Sequence, residues 1–220
     1  MTRPAGSPEP DLRVLAIDTC LDACQAALID DGRVVFARSE PMHRGHQERL
    51  APMLAEAMAE AGAEFGDVDR IGVTVGPGSF TGLRVGLAFA KGLAMARGVP
   101  CVGVGVLQAL AASVESSGRV IAAIDAKRDQ LYLQSFEAGR PAGEPRAQLI
   151  CDIRFGDPPP DLTVVGSGAP VLAAALPHAR LLPLTAPDPL AIARLAAAAD
   201  PAEAPPNPIY LRAPDARLPA

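Results

Sequence analysis

The 220-residue sequence contains no tryptophan, two tyrosines and six phenylalanines. That is too few rings for the stacking platforms on which single-stranded nucleic acid is bound. It has no excess of positive charge either: 20 Lys and Arg stand against 25 Asp and Glu, a formal net charge of −5. No global basic field therefore drives nucleic-acid binding through counterion release. Its longest apolar runs, such as 98–107, fall well short of the roughly 20 residues of a membrane-spanning helix. The opening MTRPAGSPEPD places three prolines and two acids where a secretory signal carries its apolar stretch. Residues 1–11 are read as a short disordered leader, and the expectation is a soluble, cytoplasmic protein without membrane contact.

Cysteine and histidine are equally sparse. Cys20, Cys24, Cys101 and Cys151 form no CxxC pair, and a chain of this size does not depend on a disulfide framework. Reduced, buried thiols are expected. Cys20 and Cys24 with His43 and His46 suggest a zinc site only superficially, because the gap between the cysteines suits neither a zinc knuckle nor a redox pair. His178 stands in a proline-flanked loop without an evident partner. The sequence has no Gly-x-Ser-x-Gly elbow, no His-Glu-x-x-His and no Walker-type lysine. No metal site and no catalytic constellation of its own is expected.

What remains is an ordinary globular composition, 49% hydrophobic and 20% charged. Leu12 to Asp18, Ala23 to Ile29 and Arg33 to Ser39 read as three strands, the last two joined by Asp30-Asp31-Gly32 as a hairpin. From His46 the period changes. Leu50, Met53, Leu54, Ala57, Met58 and Ala61 follow one helical face, Gly62 supplies a stop, and Pro52 predicts an early start or a kink. A strand over Arg70 to Val75 leads through a glycine-rich turn, Gly76 to Phe80, into a second helix, Thr81 to Arg97. After a short strand or loop over Cys101 to Val106, the pattern predicts a helix over 107–114 and strands over 120–125, 130–137 and 162–165. Two more helices follow, one running to Leu176 and one over 190–199. Sixteen of the 23 prolines lie after residue 140, so the second half is the looser one. The order argues for an α/β fold with mixed sheets, divided into a first lobe over 12–103, a smaller second lobe over 104–207 and a tail over 208–220.

Helix 81–97 carries only Arg84, Lys91 and Arg97 as charges, so its apolar surface reaches further round than the stripe of a surface helix. Gly82, Gly86, Ala90 and Ala94 recur every four residues, a small-residue row along which a second helix approaches closely. Either a partner or the second lobe of the same chain covers this face. In the turn before it, Pro77 restricts one dihedral, Gly76 and Gly78 permit positive φ, and Ser79 or Thr81 caps the helix. Such a turn holds an anion or simply makes a tight connection, and the missing Walker lysine favours the connection. Asp18 and Thr19 end the first strand, and Asp125 ends the strand that opens the second lobe. These acids either coordinate a metal nucleotide through water across a cleft or cap turns. Gly166 and Gly168 either admit a nucleotide base to the backbone or begin a helix.

Five segments, LAIDTCLDACQAALID at 15–30, HQERLAPML at 46–54, GPGSFTGLRVGLAFAKGLA at 76–94, IDAKRDQLY at 124–132 and PIYLR at 208–212, together resemble the TsaB (YeaZ) family over most of residues 12–212. The resemblance implies two ribonuclease-H-like lobes of the actin/Hsp70 (ASKHA) superfamily. It further implies a non-catalytic scaffold subunit of the bacterial complex that forms N6-threonylcarbamoyladenosine at position 37 of tRNAs reading ANN codons. The implied partners are the catalytic paralogue TsaD and the ATPase TsaE, with tRNA reached through the complex. ATP and magnesium are then used by the complex and not required by this chain, which forms a homodimer when alone. Where the paralogue carries two metal-binding histidines four apart, this chain has Val106, Leu107, Gln108, Ala109 and Leu110.

In the family the first two helices pack on the equivalent pair of the partner. The interface is therefore expected at Leu50, Met53, Leu54, Ala57 and Met58 with Leu83, Leu87, Ala90 and Ala94, where Ala90→Glu would place a charge. Two features depart from the family pattern: Cys20 replaces the usual serine after Asp-Thr, and a proline-rich tail extends beyond Arg212. The competing expectation is a nucleotide-binding ATPase or transferase active on its own, using Asp18, Thr19, Asp125, Gly166 and Gly168.

Overall fold

The structure, a computed structural model, describes residues 12–156 and 159–212; the expected leader 1–11 and the tail beyond 212 lie outside the described residues. In strand β1 (Arg13–Asp18), Leu15 and Ile17 face one way and Val14 and Ala16 the other, all four fully buried. A strand buried on both faces requires cover on both sides of its sheet. β1 pairs antiparallel with β2 (Ala23–Asp30), which pairs with β3 (Arg33–Pro41) through a turn with Asp31 and Gly32 at positive φ. After helix α1 (His46–Glu60), β4 (Arg70–Thr74) joins the other side of β1 in parallel. Helix α2 (Phe80–Arg97) then leads to β5 (Cys101–Val104), giving the order β3-β2-β1-β4-β5. Both helices bury their apolar stripes on the Leu15 and Ile17 face. α1 starts six residues before Pro52, and that proline lies on its exposed side, where the carbonyl it leaves without an N–H partner is solvated.

Helix α3 (Val106–Ala112) opens the second half, followed by β6 (Val120–Asp125), β7 (Gln130–Glu137), β8 (Arg140–Pro141), β9 (Arg146–Leu149), β10 (Thr163–Val165) and β11 (Arg180–Leu182). They form a second sheet, β11-β10-β6-β7-β8, with β9 also on β7. β6 and β7 are antiparallel, while β10 and β11 run parallel to β6. This repeats the first sheet strand for strand, so the chain has two ribonuclease-H-like lobes, the second abbreviated. The helix expected to run to Leu176 is only a 3-10 segment, Ala169–Leu172. Pro170 and Pro177 leave too few residues between them for a stable helix. β8, β9 and β11 are two to four residues long and mostly exposed, so no apolar period announces them.

The sheet changes after β5, near the expected boundary, but the chain later returns to the first lobe. Helix α4 (Pro189–Ala198) lays Ile192, Ala193 and Ala196 against Val14, Ala16, Ala27 and Val102, covering the second face of the first sheet. The Arg70 guanidinium donates to the carbonyls of Ala196, Ala197 and Ala199 at 2.9, 2.8 and 2.9 Å, satisfying acceptors that a helix end leaves open. The segment after α4 then follows the edge of β5: Gly103 N–H donates to Ala204 O at 2.9 Å, and Ile209 N–H to Val75 O at 2.7 Å. Assigning all of 104–207 to the second lobe is therefore corrected, because the α4 stripe completes the first lobe's core.

Three glycines position α2. A Cβ on Gly78 would stand 2.3 Å from Cys20 O, one on Gly82 2.0 Å from Thr19 O and one on Gly86 2.6 Å from Thr19 Oγ1. Every added methyl would overlap the β1–β2 loop. Gly92 on the same helix has nothing within 4 Å of such an atom. In urea unfolding, Gly82→Ala should lose about 1–3 kcal/mol through overpacking. Gly92→Ala should gain about 0.5–1 kcal/mol of helix propensity, and equal effects at the two positions would contradict this packing.

Candidate functional site

The end of β1 is a closed polar knot. Asp18 is fully buried: its Oδ1 accepts from Thr74 Oγ1 at 2.5 Å and from Cys20 N–H at 2.9 Å. Its Oδ2 accepts from Gln25 Nε2 at 3.0 Å, which also donates to Pro187 O at 3.0 Å. Thr19, equally buried, donates from Oγ1 to Gly82 O at 2.7 Å. Burial pushes the Asp18 carboxyl above the ordinary carboxylate range, against the opposing pull of these donors and of His46. Burial, reinforced by Asp18, raises the Cys20 thiol, and burial raises the Cys24 thiol to about 11. Both therefore remain thiols at neutral pH, poor nucleophiles and poor metal ligands. His43 is exposed and pairs with Asp22 at 2.9 Å, whereas His46 is buried with Nε2 unpartnered.

The turn that follows is as read at Gly76 and Ser79 but not at Gly78, which has no positive φ and is instead required small by Cys20 O. The Gly76-Pro77 peptide is cis, Gly76 has φ 93°, and Ser79 caps α2 by accepting from Gly82 N–H at 3.3 Å. Thr81 takes no capping part and lies exposed. Ser79 N–H donates to Cys20 O at 2.7 Å, which ties the turn to the β1–β2 loop.

The second lobe's equivalents are also structural. Asp125 accepts from Lys127 N–H and Lys127 Nζ, both at 2.8 Å, and this pairing lowers its carboxyl pKa. It caps a turn in which Lys127, Arg128 and Asp129 all adopt positive φ. A Cβ on Gly166, whose φ is 109°, would lie 2.2 Å from Ala123 O, and Gly168 N–H donates to Ala123 O at 2.9 Å. A Cβ on Gly168 would crowd Leu131 Cδ2 at 3.0 Å. Asp18 and Thr19 with the 76–82 turn thus form one packed cluster, and Asp125 with Gly166 and Gly168 another. Asp18 and Thr19 are closed off as packing residues, which corrects their reading as an open nucleotide contact, whereas the Asp125 side chain is 34% exposed beside Lys127.

The interface residues need the largest correction. Leu50, Met53, Leu54, Ala57, Met58, Leu83, Leu87, Ala90 and Ala94 are all at most 6% exposed and belong to this chain's own core. An apolar stripe at helical spacing first serves the sheet beneath it, and here it is consumed there. The row Gly82 and Gly86 receives Thr19, not another helix. The opposite face of α2 is the open one. Gln47, Phe80, Thr81, Arg84, Val85, Ala88 and Phe89, with the edge of Leu50, line a groove of about 510 Å³ between α1 and α2. Phe80 is 48% exposed and Met95 83%. The signal was present in the sequence: Phe80, Arg84, Ala88, Lys91 and Met95 repeat every three to four residues along the flank of the Leu83 and Leu87 stripe.

Residues 39–149 match the family model of TsaD, tRNA N6-adenosine threonylcarbamoyltransferase. The tRNA threonylcarbamoyladenosine biosynthesis protein TsaB of Escherichia coli is 37% identical over 129 residues, covering 57% of this chain and 55% of that protein. The match thus spans about half the length of that relative. An uncharacterised protein of Mycobacterium tuberculosis is 37% identical over 210 residues, covering 93% of each chain. Among solved structures, YeaZ from Pseudomonas aeruginosa superposes with a TM-score of 0.76 at 30% identity, covering 91% of this chain and 100% of that one.

Because burial raises the Asp18 carboxyl, its protonated form favours the fold. That contribution is complete below the ordinary carboxylate range and is lost as pH rises through the raised value. The stability of Asp18→Asn minus that of the unmodified protein should therefore increase from pH 4 towards pH 8 in urea titrations. A difference independent of pH would contradict the sealed carboxyl, whatever constant offset the amide introduces.

Proposed function

The chain belongs to the TsaB (YeaZ) family, and from that premise we propose that it is the non-catalytic scaffold subunit of the complex that forms N6-threonylcarbamoyladenosine at position 37 of tRNAs reading ANN codons. In this reading it pairs with the catalytic paralogue TsaD through the outer faces of α1 and α2. The ATPase TsaE joins that pair, tRNA is met through the complex, and the same faces support a homodimer when the chain is alone. ATP and magnesium serve the complex at sites outside this chain.

One observation carries the reading. Where the resemblance puts the paralogue's histidine pair, α3 has Val106, Leu107, Ala109 and Leu110, each at most 1% exposed. Val106, Leu107 and Leu110 lie in the cluster that also holds Leu15 and Ile17 of β1 and Ala122 and Ile124 of β6. The helix supplies packing between the lobes where the paralogue supplies ligands, and without ligands there is no Lewis acid to orient a transferred carbonyl. The reading of an independent ATPase loses its support in the same region, since Asp18 and Thr19 are spent on Thr74, Gln25, Cys20 and Gly82.

Two neighbouring alanines separate docking from folding. Ala88→Glu puts a carboxylate on the exposed wall of the groove and should abolish heterodimer formation with TsaD in sedimentation or calorimetry while leaving the thermal transition within a few degrees. Ala90→Glu buries the same charge against the sheet and should destabilise the chain itself by about 3 kcal/mol or more. Full heterodimer affinity in a folded Ala88→Glu chain would refute the docking face.

A further inference from the structure

Several arginines of the first lobe are spent on ion pairs. On α1, Arg49 is held between Glu40 and Glu56, with all four contacts between 2.6 and 2.9 Å. On β1, Arg13 pairs with Asp30 and Asp67. α2 differs: its charges are Arg84, Lys91 and Arg97, it carries no acid, and none of the three forms an ion pair among the described residues. Arg84 is nevertheless positioned. Its guanidinium carbon lies 3.7 Å from the centroid of the Phe80 ring, a cation–π geometry.

Phe80 is in turn backed by Tyr210, with ring centroids 5.8 Å apart and planes tilted by 43°. Tyr210 belongs to the segment after α4 and is pinned on both flanks. Ile209 N–H donates to Val75 O at 2.7 Å in the first lobe, and Arg212 Nη1 donates to Ala126 O at 3.1 Å in the second. Two aromatic rings about half exposed are thus spent on holding one arginine at the end of an apolar groove.

We propose that the Tyr210–Phe80–Arg84 stack is a specificity element of the α1–α2 groove, presenting a preorganised guanidinium to a carboxylate on an otherwise apolar helix of the partner. This rests on the docking face described under the proposed function. The occupant's chemistry follows from charge complementarity: Arg84 is the one charged side chain among the residues that line the groove, so the groove selects a helix with a facing acid over one with a facing base. The segment 204–212 becomes part of the docking surface, because it immobilises the ring that immobilises the cation and so lowers the ordering cost at binding. A guanidinium, with its fixed fork of donors, suits one carboxylate in one orientation.

The test measures heterodimer affinity with TsaD for the unmodified chain and for Arg84→Gln, Arg84→Glu, Tyr210→Ala and Tyr210→Phe, each checked for an unchanged thermal transition. Arg84→Gln should weaken binding about tenfold and flatten its dependence on salt between about 50 and 500 mM. Arg84→Glu should weaken it further. Tyr210→Ala should weaken it by a smaller factor, and Tyr210→Phe should restore it, since the ring and not the hydroxyl acts. Unmodified affinity and salt dependence in both Arg84 variants would overturn the proposal. If Ala88→Glu still abolishes binding in that case, the docking face stands and only the stack's role falls. If Ala88→Glu also binds normally, the face itself is wrong and the proposal goes with it. Variants that weaken only self-association of this chain would make a second copy the occupant and overturn the proposal equally.

Discussion

Everything distinctive in this chain depends on how closely helix α2 approaches the loop that ends β1. Gly78, Gly82 and Gly86 present no side chain to Cys20 and Thr19, and the Thr19 hydroxyl bonds directly to the helix backbone at Gly82 O. That contact seals Asp18 and Thr19 beneath the helix. The acid at the end of the first strand is thereby spent on internal donors. The same contact sets the rotation of α2, which turns Leu83, Leu87, Ala90 and Ala94 inward and leaves Phe80, Arg84, Ala88 and Met95 outward. One packing constraint therefore buries Asp18 and Thr19 and turns a candidate partner surface outward.

The second lobe is a reduced copy serving the first. Its sheet repeats the strand order, but a 3-10 turn stands where α2 would be, and α4 crosses back to cover the first sheet's open face. α3 fills the seam with Val106, Leu107 and Leu110. A seam packed with aliphatic side chains holds the lobes together. The chain's investment is thus in rigidity and in one outward face, which fits a subunit that works by being bound.

Much of this was legible in the sequence, and the failures have a common cause. The three leading strands, the hairpin, both long helices and a cap at Ser79 or Thr81 followed from period and turn chemistry, since those signals are local. The interface did not, because an apolar helical stripe says only that something covers it. For Leu50, Met53 and Leu83 that something is the sheet three strands earlier in the chain, and no spacing rule reveals it. Which of the two roles open to Asp18 and Asp125 each one takes is hidden for the same reason. Whether a carboxylate is open or sealed depends on Thr74, Gln25 and Lys127, and only the fold brings the first two to Asp18. The short strands β8, β9 and β11 lack any period, and the return of α4 to the first lobe is a tertiary choice.

The central claim is that this chain contributes surface and not chemistry. It is tested most directly by threonylcarbamoyl transfer to unmodified tRNA with purified components, an activated threonylcarbamoyl donor and magnesium ATP being supplied in every arm: this chain alone, TsaD with TsaE, and all three together. Modified tRNA should accumulate only in the full mixture, and Asp18→Asn in a folded chain should support it as well as the unmodified protein does. Transfer by this chain alone, or its loss on Asp18→Asn with folding and association intact, would contradict the account.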